Sequence, residues 1–345
     1  MKKILLIGAS GQLGTRIFCK LTDAGYQNIR ILVREDSRFQ HLLPHQPEVF
    51  VGDLCDVNGI IPALTGVQTI ITTTSSAVPR KKTDTIKKID TRGYTELINE
   101  AKRLGIAHFI FTSVKPTSTA MEQWLPLAKA KRVVEEHLIN SRLNYTIFQP
   151  DAFMDVYFTF MGTSLPTLDD EAPLVKRDFK FVKIFYNSIK DDVDQGKIGI
   201  IGKGNVQHTY ISAENVAAFI AKAVDEPALM NKIIPLGGPD ALSALDVKSI
   251  FEKVLDKKLK IKHTPAWVMK LLGNIMDPFF PNAANIMKLN YMQATEESII
   301  DSSELAKQLG IHLTTAEEFM KQKLAYKRSN VNGISTKKQE SIAIK

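Results

Sequence analysis

Short apolar runs and helical patterns of apolar residues alternate through the first 150 residues. In the segment Thr15–Ala24, for example, Ile17, Phe18 and Leu21 recur at helical spacing. The intervening runs are short and rich in β-branched residues, which is typical of strands. The predicted strands are Lys3–Ile7, Ile29–Val33, Val49–Val51, Thr69–Thr74, Phe109–Thr112 and Tyr145–Phe148. The further predicted helices lie near Ile60–Leu64, Thr91–Leu104 and Lys129–Ile139.

This alternation predicts an α/β fold, a doubly wound parallel Rossmann sheet covered by helices on both faces. We assign residues 1–150 to this larger domain. The rhythm changes after Pro150, and the discontinuous segments that follow predict a smaller C-terminal α/β substrate lobe over residues 151–326. Its strand-like pieces include Ile198–Ile201 and Lys232–Pro235. Residues 327–345 have no periodicity, so we expect a disordered basic tail there.

The formal net charge of +8 is distributed unevenly. Five basic residues of the tail accompany a single acid, Glu340, so about half of the net charge lies there. The rest of the chain lacks basic patches interleaved with aromatic residues, and we therefore expect no nucleic-acid partner. The two cysteines, Cys19 and Cys55, are too few for a metal-ligand cluster or a disulfide framework. The sequence thus predicts no metal site and a reducing compartment.

Apolar stretches along the chain are short. The N-terminal run ends at Gly8, which is too early for a signal peptide, and no stretch reaches the ~18 apolar residues of a membrane span. We therefore expect a soluble, cytoplasmic protein. The most apolar later stretch, residues 265–280, could form a lid, a dimer face or a membrane-surface helix. Its shortage of Lys and Arg favours burial in the second lobe.

A glycine-rich loop between the first predicted strand and the first predicted helix is the strongest functional signal. Glycine permits a tight turn and lets the backbone approach a pyrophosphate, and the helix N-terminus presents free N–H groups and the positive end of its dipole. The loop therefore predicts a dinucleotide-binding site. The residues predicted to contact the cofactor are Gly8, Ser10, Gly11, Gln12, Leu13 and Gly14.

The GxxGxxG spacing of this loop resembles that of the extended and atypical short-chain dehydrogenase/reductase superfamily. The resemblance continues through most of residues 1–325 and is closest to NmrA-like proteins. These include isoflavone-reductase-type enzymes, an accessory subunit of respiratory complex I and photosystem assembly factors. The further segments that carry it are Val51–Leu54, Thr72–Thr74, Phe111–Ser113, Lys131–Glu135, Tyr145–Pro150 and Tyr210–Ala217.

The resemblance implies additional cofactor contacts at the ends of strands. Asp53 and Leu54 follow the third strand, where the family's Asp approaches the adenine. The other implied contacts are Thr72, Thr73, Thr112, Lys131 and Pro150. The resemblance also implies that a segment near residues 205–225 returns to the cofactor domain.

Arg34 stands at the end of the second strand, where NAD-preferring sites carry a carboxylate for the ribose 2′-hydroxyl. A guanidinium binds a 2′-phosphate well, and in similar NmrA-like sequences an Arg at this place accompanies NADP(H). The neighbouring acids Glu35 and Asp36 weaken the argument. The sequence nevertheless favours NADP(H) over NAD(H).

The superfamily's usual catalytic constellation is a Ser with a Tyr-xxx-Lys pair. Ser113 and Lys131 match the Ser and the Lys, but Leu127 stands where the Tyr should be, and leucine transfers no proton. Isoflavone-reductase-like enzymes also lack this Tyr, and the resemblance implies that a Lys on this helix acts in its place. Lys131 would then polarise or protonate a carbonyl; alternatively it only binds the ribose hydroxyls.

The sequence therefore predicts an NADPH-dependent reductase of a small apolar carbonyl, enone or quinone-like substrate. Phe153, Met154 and Tyr210 are the predicted substrate-pocket residues, since aromatic side chains commonly line apolar pockets. The alternative is a non-catalytic NADPH-binding regulator or assembly factor that acts through a protein partner. A small-molecule substrate is the expected partner under the first hypothesis, and a protein partner or a homodimer is compatible with both.

Overall fold

The protein is described by a computed structural model over residues 2–79, 81, 83–165 and 180–327. Its centre is a seven-stranded sheet in which every neighbouring pair of strands is parallel. The order of the strands is β3-β2-β1-β4-β5-β6-β9. The eleven strands of the described residues are β1 Ile4–Ile7, β2 Ile29–Val33, β3 Glu48–Val51, β4 Thr69–Thr72, β5 His108–Thr112, β6 Tyr145–Pro150, β7 Lys197–Ile201, β8 Gln207–His208, β9 Lys232–Leu236, β10 Leu242–Ser243 and β11 Lys260–Thr264.

Helices cover both faces of this sheet, because successive strand residues point to opposite sides. Ile4 and Leu6 of β1 pack with the apolar residues of α1 and α8, whereas Leu5 and Ile7 pack with those of α2, α3 and α5. The predicted doubly wound α/β fold is confirmed. The helices are α1 Gln12–Asp23, α2 Val57–Leu64, α3 Tyr94–Arg103, α4 Thr119–Trp124, α5 Pro126–Asn140, α6 Met154–Phe160, α7 Lys180–Ile189, α8 Ala213–Ala223, α9 Ala244–Leu255, α10 Ala266–Met276, α11 Pro281–Thr295 and α12 Ser303–Gln308. A further helix occupies residues 316–327.

The order in which successive strands are added to the sheet changes direction between β1 and β4. From β1 the strand order runs outward to β3 on one side and to β9 on the other. In a doubly wound sheet such a switch point opens a crevice at the carboxyl ends of the strands, which is where ligands bind. The glycine loop follows β1 directly, so it lies at the rim of this crevice.

The smaller lobe is built around two short sheets. β7 pairs with β11 in parallel, and β8 pairs with β10 in antiparallel orientation. Its main apolar cluster includes Phe158, Phe251 and Phe319, with the ring of Phe158 in edge contact with each of the other two. The predicted tail lies outside the described residues from position 328 onward.

Two expectations about the second half of the chain need correction. The strand predicted at Lys232–Pro235 belongs to the large sheet, since β9 pairs with β6 and extends it to seven strands. The returning part of the chain therefore includes this strand as well as α8, which packs on α1 through the apolar cluster of that face. The exposure of β9 alternates, as expected of an edge strand with one covered face. A strand of the small lobe has a similar sequence pattern.

The apolar stretch 265–280 is not buried as a whole. Its aromatic residues Trp267, Phe279 and Phe280 are 64%, 74% and 62% exposed, and Leu271 and Ile275 are also exposed. Trp267, Leu271, Ile275 and Phe279 follow one another at intervals of four, so they form a stripe along α10 and its C-terminal extension. We call Trp267, Leu271, Ile275, Phe279 and the adjoining Phe280 the α10 stripe. Among the described residues, no helix has the length and apolar character needed to cross a bilayer.

Candidate functional site

A cleft of about 480 Å³ lies at the carboxyl ends of the central strands. We call its lining between Ile7 and Leu54 the loop wall, and its lining from α6 and α11 the lobe wall. Most of the predicted site residues meet in this one cleft. They are Gly8, Ser10, Gly11, Gln12, Leu13, Gly14, Arg34, Asp53, Leu54, Thr73, Thr112, Ser113, Lys131, Pro150 and Phe153.

Within the loop wall the three glycines have different physical roles. Gly8 has φ +93°, which favours glycine. A Cβ on Gly14 would lie 2.1 Å from the carbonyl oxygen of Gly8, so close packing of helix and loop requires glycine there. A Cβ on Gly11 would meet only that same oxygen, at 3.2 Å. The packing of the protein therefore leaves the space beside Gly11 nearly clear.

The N-terminus of α1 lies beside this space. Gly11 is the N-cap residue, makes no side-chain cap and is followed by a first turn without acidic residues. The first N–H groups of a helix have no acceptor within the helix, and the dipole adds partial positive charge. A phosphate group fits these donors. The geometry of this loop is therefore compatible with binding the pyrophosphate of a dinucleotide.

Arg34 lines the cleft, but it is already paired. Its Nη1 donates to both carboxylate oxygens of Asp84, at 3.1 and 3.0 Å, and Asp36 lies 3.8 Å from its Nε. Asp84 also lines the cleft. The sequence argument relied on the absence of a carboxylate at the end of β2; the fold supplies one from a segment fifty residues further along. Tertiary proximity of this kind leaves no signal in the local pattern.

Lys131 projects from α5 into an unusually enclosed environment. The residue is only 2% exposed, and its Nζ lies 3.3 Å from Asp90 Oδ1. The rings of Tyr94 and Phe111 each lie 4.8 Å from the same nitrogen, in cation–π geometry. Burial lowers the pKa of Lys131, and the negative charge of Asp90 opposes that shift. Lys131 is therefore desolvated.

A π-helical segment, Lys87–Gly93, positions Asp90 opposite Lys131. Such bulges commonly accompany functional sites. The other carboxylate oxygen of Asp90 accepts hydrogen bonds from the backbone N–H and the hydroxyl of Ser76. The aspartate is thus held from two sides, and the lysine has a fixed counter-charge.

The hydroxyls near Lys131 are available to a ligand. The Oγ of Ser113 and the Oγ1 of Thr112 are buried and have no hydrogen-bond partner among the described residues, although both residues line the cleft. Buried hydroxyls without a partner are costly, so a bound molecule that supplies one would be favoured. Leu127 also lines the cleft and provides only an apolar surface at the place of the usual Tyr.

Helix α6 has one face that lines the cleft and another that packs into the small lobe. Phe153 and the α6 residues Val156, Tyr157 and Phe160 line the cleft. Met154 and Phe158 face the core of the small lobe instead. The predicted substrate-pocket role of Met154 is therefore wrong. A helix has 3.6 residues per turn, so position 154 faces away from the side on which positions 153 and 157 lie.

Two other predicted residues are also hidden from the cleft. Tyr210 is 1% exposed and packs between Tyr157 and Phe158 in the lobe core, so it is a support of the wall rather than part of its surface. Thr72 is fully buried, and its hydroxyl donates to Tyr94 Oη at 3.0 Å. A strand alternates its side chains, so Thr73 lines the cleft and Thr72 points into the helix layer.

The sequence analysis missed several cleft residues that come from distant segments. The largest group lies on α11, whose pattern looks like an ordinary buried helix. Lys115 is close to predicted positions but carried no motif of its own. The missed lining residues are Asp84, Lys115, Leu289, Asn290, Met292 and Gln293. The described residues contain no group of three His, Cys, Asp or Glu side chains arranged to bind a metal ion.

The strand order and the glycine loop define a Rossmann-type protein, and comparison with known families narrows this class. The model of the NmrA-like family matches residues 1–320. The chain belongs to the NmrA-like family, which confirms the resemblance stated from its motifs.

Individual relatives have different names. The chain is 27% identical over 277 residues to the photosystem II assembly factor Ycf39 of Cyanophora paradoxa, covering 79% of this chain and 74% of that protein. It is 25% identical over 295 residues to the phenylcoumaran benzylic ether reductase PT1 of Pinus taeda, covering 80% and 82%. Among solved structures, the NADPH-dependent quinone oxidoreductase QOR2 of Escherichia coli, in complex with NADPH, superposes with a TM-score of 0.69 at 21% identity. That match covers 92% of this chain and 99% of the other.

Proposed function

We propose that this protein binds NADP(H) and reduces a small apolar substrate that carries a carbonyl, enone or quinone-like group. One observation carries the proposal: a single cleft joins a phosphate-binding loop, a desolvated lysine and an aromatic wall. Each of these three features alone is common, but together in one cleft they match the requirements of hydride transfer to an apolar acceptor. Two of the similar proteins have reductase or oxidoreductase in their names, and one was solved with NADPH.

The loop wall would hold the cofactor. The Gly8–Gly14 loop and the first turn of α1 would bind the pyrophosphate, and Asp53 with Leu54 would flank the adenine end. Arg34 would bind the 2′-phosphate, which requires it to share its donors between that phosphate and Asp84. When bound, the nicotinamide supplies a hydride to the substrate.

Lys131 would stabilise the oxygen on which negative charge develops. A lysine in a desolvated site interacts strongly with such an oxygen, and its lowered pKa brings proton donation closer to neutral pH. Ser113 would supply a hydrogen bond to the same region through its buried hydroxyl. In the alternative role, Lys131 only holds the ribose hydroxyls of the cofactor.

The direct test is an NADPH-oxidation assay against a panel of quinones, enones and aromatic ketones. We expect turnover of at least one quinone or enone by the wild-type protein. As a control, Leu127→Tyr restores the superfamily's Tyr-xxx-Lys spacing, and we expect it to increase carbonyl reduction if the cleft geometry is otherwise competent. If no compound of the panel is consumed by either protein while NADPH still binds, the reductase proposal fails.

A second candidate function is that of an NADPH-binding assembly factor, as the name of one relative suggests. The α10 stripe favours it, because exposed aromatic residues in a continuous row are typical of interaction surfaces. The test compares co-purification from the native source for the wild type and for a Trp267→Ser/Phe279→Ser variant, with and without NADPH. A partner that is lost with the variant and responds to NADPH supports this function, whereas identical recovery from both proteins excludes a role of the stripe.

A further inference from the structure

The lobe side of the cleft contains a second buried lysine, Lys115, which the proposed reduction does not use. It follows β5 closely, and its backbone is fixed on both sides. Its N–H donates to the carbonyl of Pro150 at 3.1 Å, and its own carbonyl accepts from Arg132 at 2.8 Å. Lys115 lines the cleft although the residue is only 5% exposed. Lys115 therefore borders the cleft and is largely shielded from bulk water.

Two partners hold the Lys115 amine. Nζ lies 2.8 Å from Asp151 Oδ1 and 3.1 Å from His208 Nδ1. Asp151 is itself fixed, because its other oxygen accepts from the N–H and the hydroxyl of Thr209 at 3.1 and 3.3 Å. All three of Lys115, Asp151 and His208 are buried. They form a preorganised cluster that spans β5, β6 and the small lobe.

The histidine of this cluster is a fixed acceptor. Its Nε2 lies 2.8 Å from the backbone carbonyl of Gln293, and a carbonyl only accepts, so Nε2 carries the hydrogen. Nδ1 therefore presents a lone pair to Lys115. Burial lowers the pKa of His208 to about 4, and the positive charge of Lys115 acts in the same direction. The imidazole is neutral at pH 7 and orients the lysine.

The cluster leaves one donor of Lys115 unused. An ammonium group has three N–H bonds, and two of them account for Asp151 and His208. No third polar partner of Nζ occurs among the described residues, and the lysine borders the cleft. A buried ion pair is rarely favoured over apolar packing for stability alone. The remaining donor is therefore best explained by a ligand atom that accepts it.

We propose that Lys115 is a specificity-determining residue that donates a hydrogen bond to an acceptor oxygen of the substrate, with Asp151 and His208 as its positioning residues. The lobe wall is largely apolar, with Tyr157, Phe160 and Met292 among its lining, and its polar members on α11 are Asn290 and Gln293. The cleft then selects aromatic or apolar molecules that carry a carbonyl-type oxygen over equally large hydrocarbons. The inference rests on the proposed function in that it takes the same cleft as the substrate site.

Binding of a matched pair of probes tests the inference without turnover. We would measure the affinities of 2-acetylnaphthalene and 2-ethylnaphthalene for the full chain in the presence of NADP⁺ by ligand-observed NMR. The two probes are similar in size, and only the first has a carbonyl oxygen. The wild type should prefer the ketone by about tenfold, as expected for one hydrogen bond from a charged donor. Absence of this preference in the wild type overturns the inference.

The variants separate a substrate contact from a structural role. Lys115→Met/Asp151→Asn removes both charges together, so no buried carboxylate is left without its partner. It should bind the two probes within about twofold of each other while its melting temperature stays close to that of a control. The control is Lys288→Met/Asp277→Asn, which neutralises another lysine–aspartate pair, at 2.6 Å, that does not line the cleft. It should retain the ketone preference.

The outcomes also separate this inference from the proposed function. A ketone preference that persists in Lys115→Met/Asp151→Asn excludes Lys115 as the donor, whether or not the protein oxidises NADPH. A preference that disappears only in this variant supports the inference even if no substrate is turned over. A single His208→Phe variant should lower the ketone affinity and leave that of 2-ethylnaphthalene unchanged, because the imidazole only orients the amine.

Discussion

The loop wall and the lobe wall of the cleft are built on different principles. The glycine loop of the loop wall comes from one motif and acts through backbone groups: a positive-φ glycine, a helix N-terminus and a close helix–loop contact. The lobe wall comes from segments that are over a hundred residues apart and acts through side chains, with α6 and α11 contributing most of its surface. A site for a common cofactor is thus encoded locally, whereas the site for a particular substrate depends on how distant elements meet.

The two buried lysines that line the cleft show the same contrast. Lys131 faces a carboxylate and two aromatic rings, all of which stabilise its positive charge. Lys115 faces a carboxylate and a neutral imidazole, which accept and orient its hydrogens. Burial lowers the pKa of both. The two lysines are similarly buried, but their partners differ. The partners of Lys131 suit it to electrostatic stabilisation, and those of Lys115 suit it to directed hydrogen bonding.

The largest expected effect concerns Lys131. Lys131→Met alone leaves Asp90 buried and unpaired, so we would also make Lys131→Met/Asp90→Asn. If Lys131 acts on the reacting oxygen, both variants should lose ~10²–10⁴-fold in kcat at saturating NADPH. If it only holds ribose, the loss should appear in NADPH affinity, and saturating cofactor should restore the rate. Steady-state kinetics at varied NADPH distinguish the two results.

The next effect tests whether helix–loop packing alone demands Gly14. Gly14→Ala places a Cβ within 2.1 Å of the Gly8 carbonyl oxygen, and backbone must move to admit it. We expect a loss of about 3 kcal/mol in the free energy of unfolding, measured by urea denaturation. Gly11→Ala is the matched control, with a single contact at 3.2 Å, and should lose much less. Equal losses at both positions would contradict the division of roles within the loop.

Gly11 in turn tests the loop as an anion site. Gly11→Val fills the space that the fold leaves clear, so it should weaken NADPH binding by at least about tenfold while the urea midpoint changes little. Isothermal titration calorimetry with NADPH measures the affinity. A variant that binds as well as the wild type would show that the pyrophosphate does not approach this loop.

Arg34 tests the cofactor preference. Arg34→Ala removes the positive charge at the end of β2, so NADPH should bind about tenfold more weakly while NADH binding is nearly unchanged. The same calorimetric titration with both nucleotides gives the comparison. Losses of equal size for NADPH and NADH would mean that Arg34 does not contact the 2′-phosphate.

The smallest expected effect concerns Asp84, which competes with a phosphate for Arg34. Asp84→Asn should strengthen NADPH binding by about two- to fivefold, since it removes a negative charge beside the guanidinium. Asp36→Asn is the control, because its carboxylate lies 3.8 Å from Arg34 and is more exposed, so its effect should be smaller. A decrease in NADPH affinity with Asp84→Asn would indicate that the aspartate positions Arg34 rather than competing for it.

The sequence alone predicted six of the seven strands of the large sheet and the glycine loop. Buried strands of a parallel sheet are continuous apolar runs, as in Ile29–Val33, whose predicted bounds equal those of β2. The glycine spacing likewise predicted a phosphate-binding loop, because such a loop depends on backbone groups within seven consecutive residues. Such features require no knowledge of distant contacts, and local physics is enough to predict them.

Only the tertiary structure decided the lobe wall, the partners of the charged residues and the fate of the α10 stripe. Asp84 contacts Arg34, and His208 contacts Lys115, at sequence separations of fifty and ninety-three residues. Edge strand β9 and the exposed aromatic residues of α10 carry patterns that fit either burial or exposure, since apolar content does not specify what covers a face. These features depend on which distant surfaces the folded chain brings together, and the local sequence pattern does not specify those contacts.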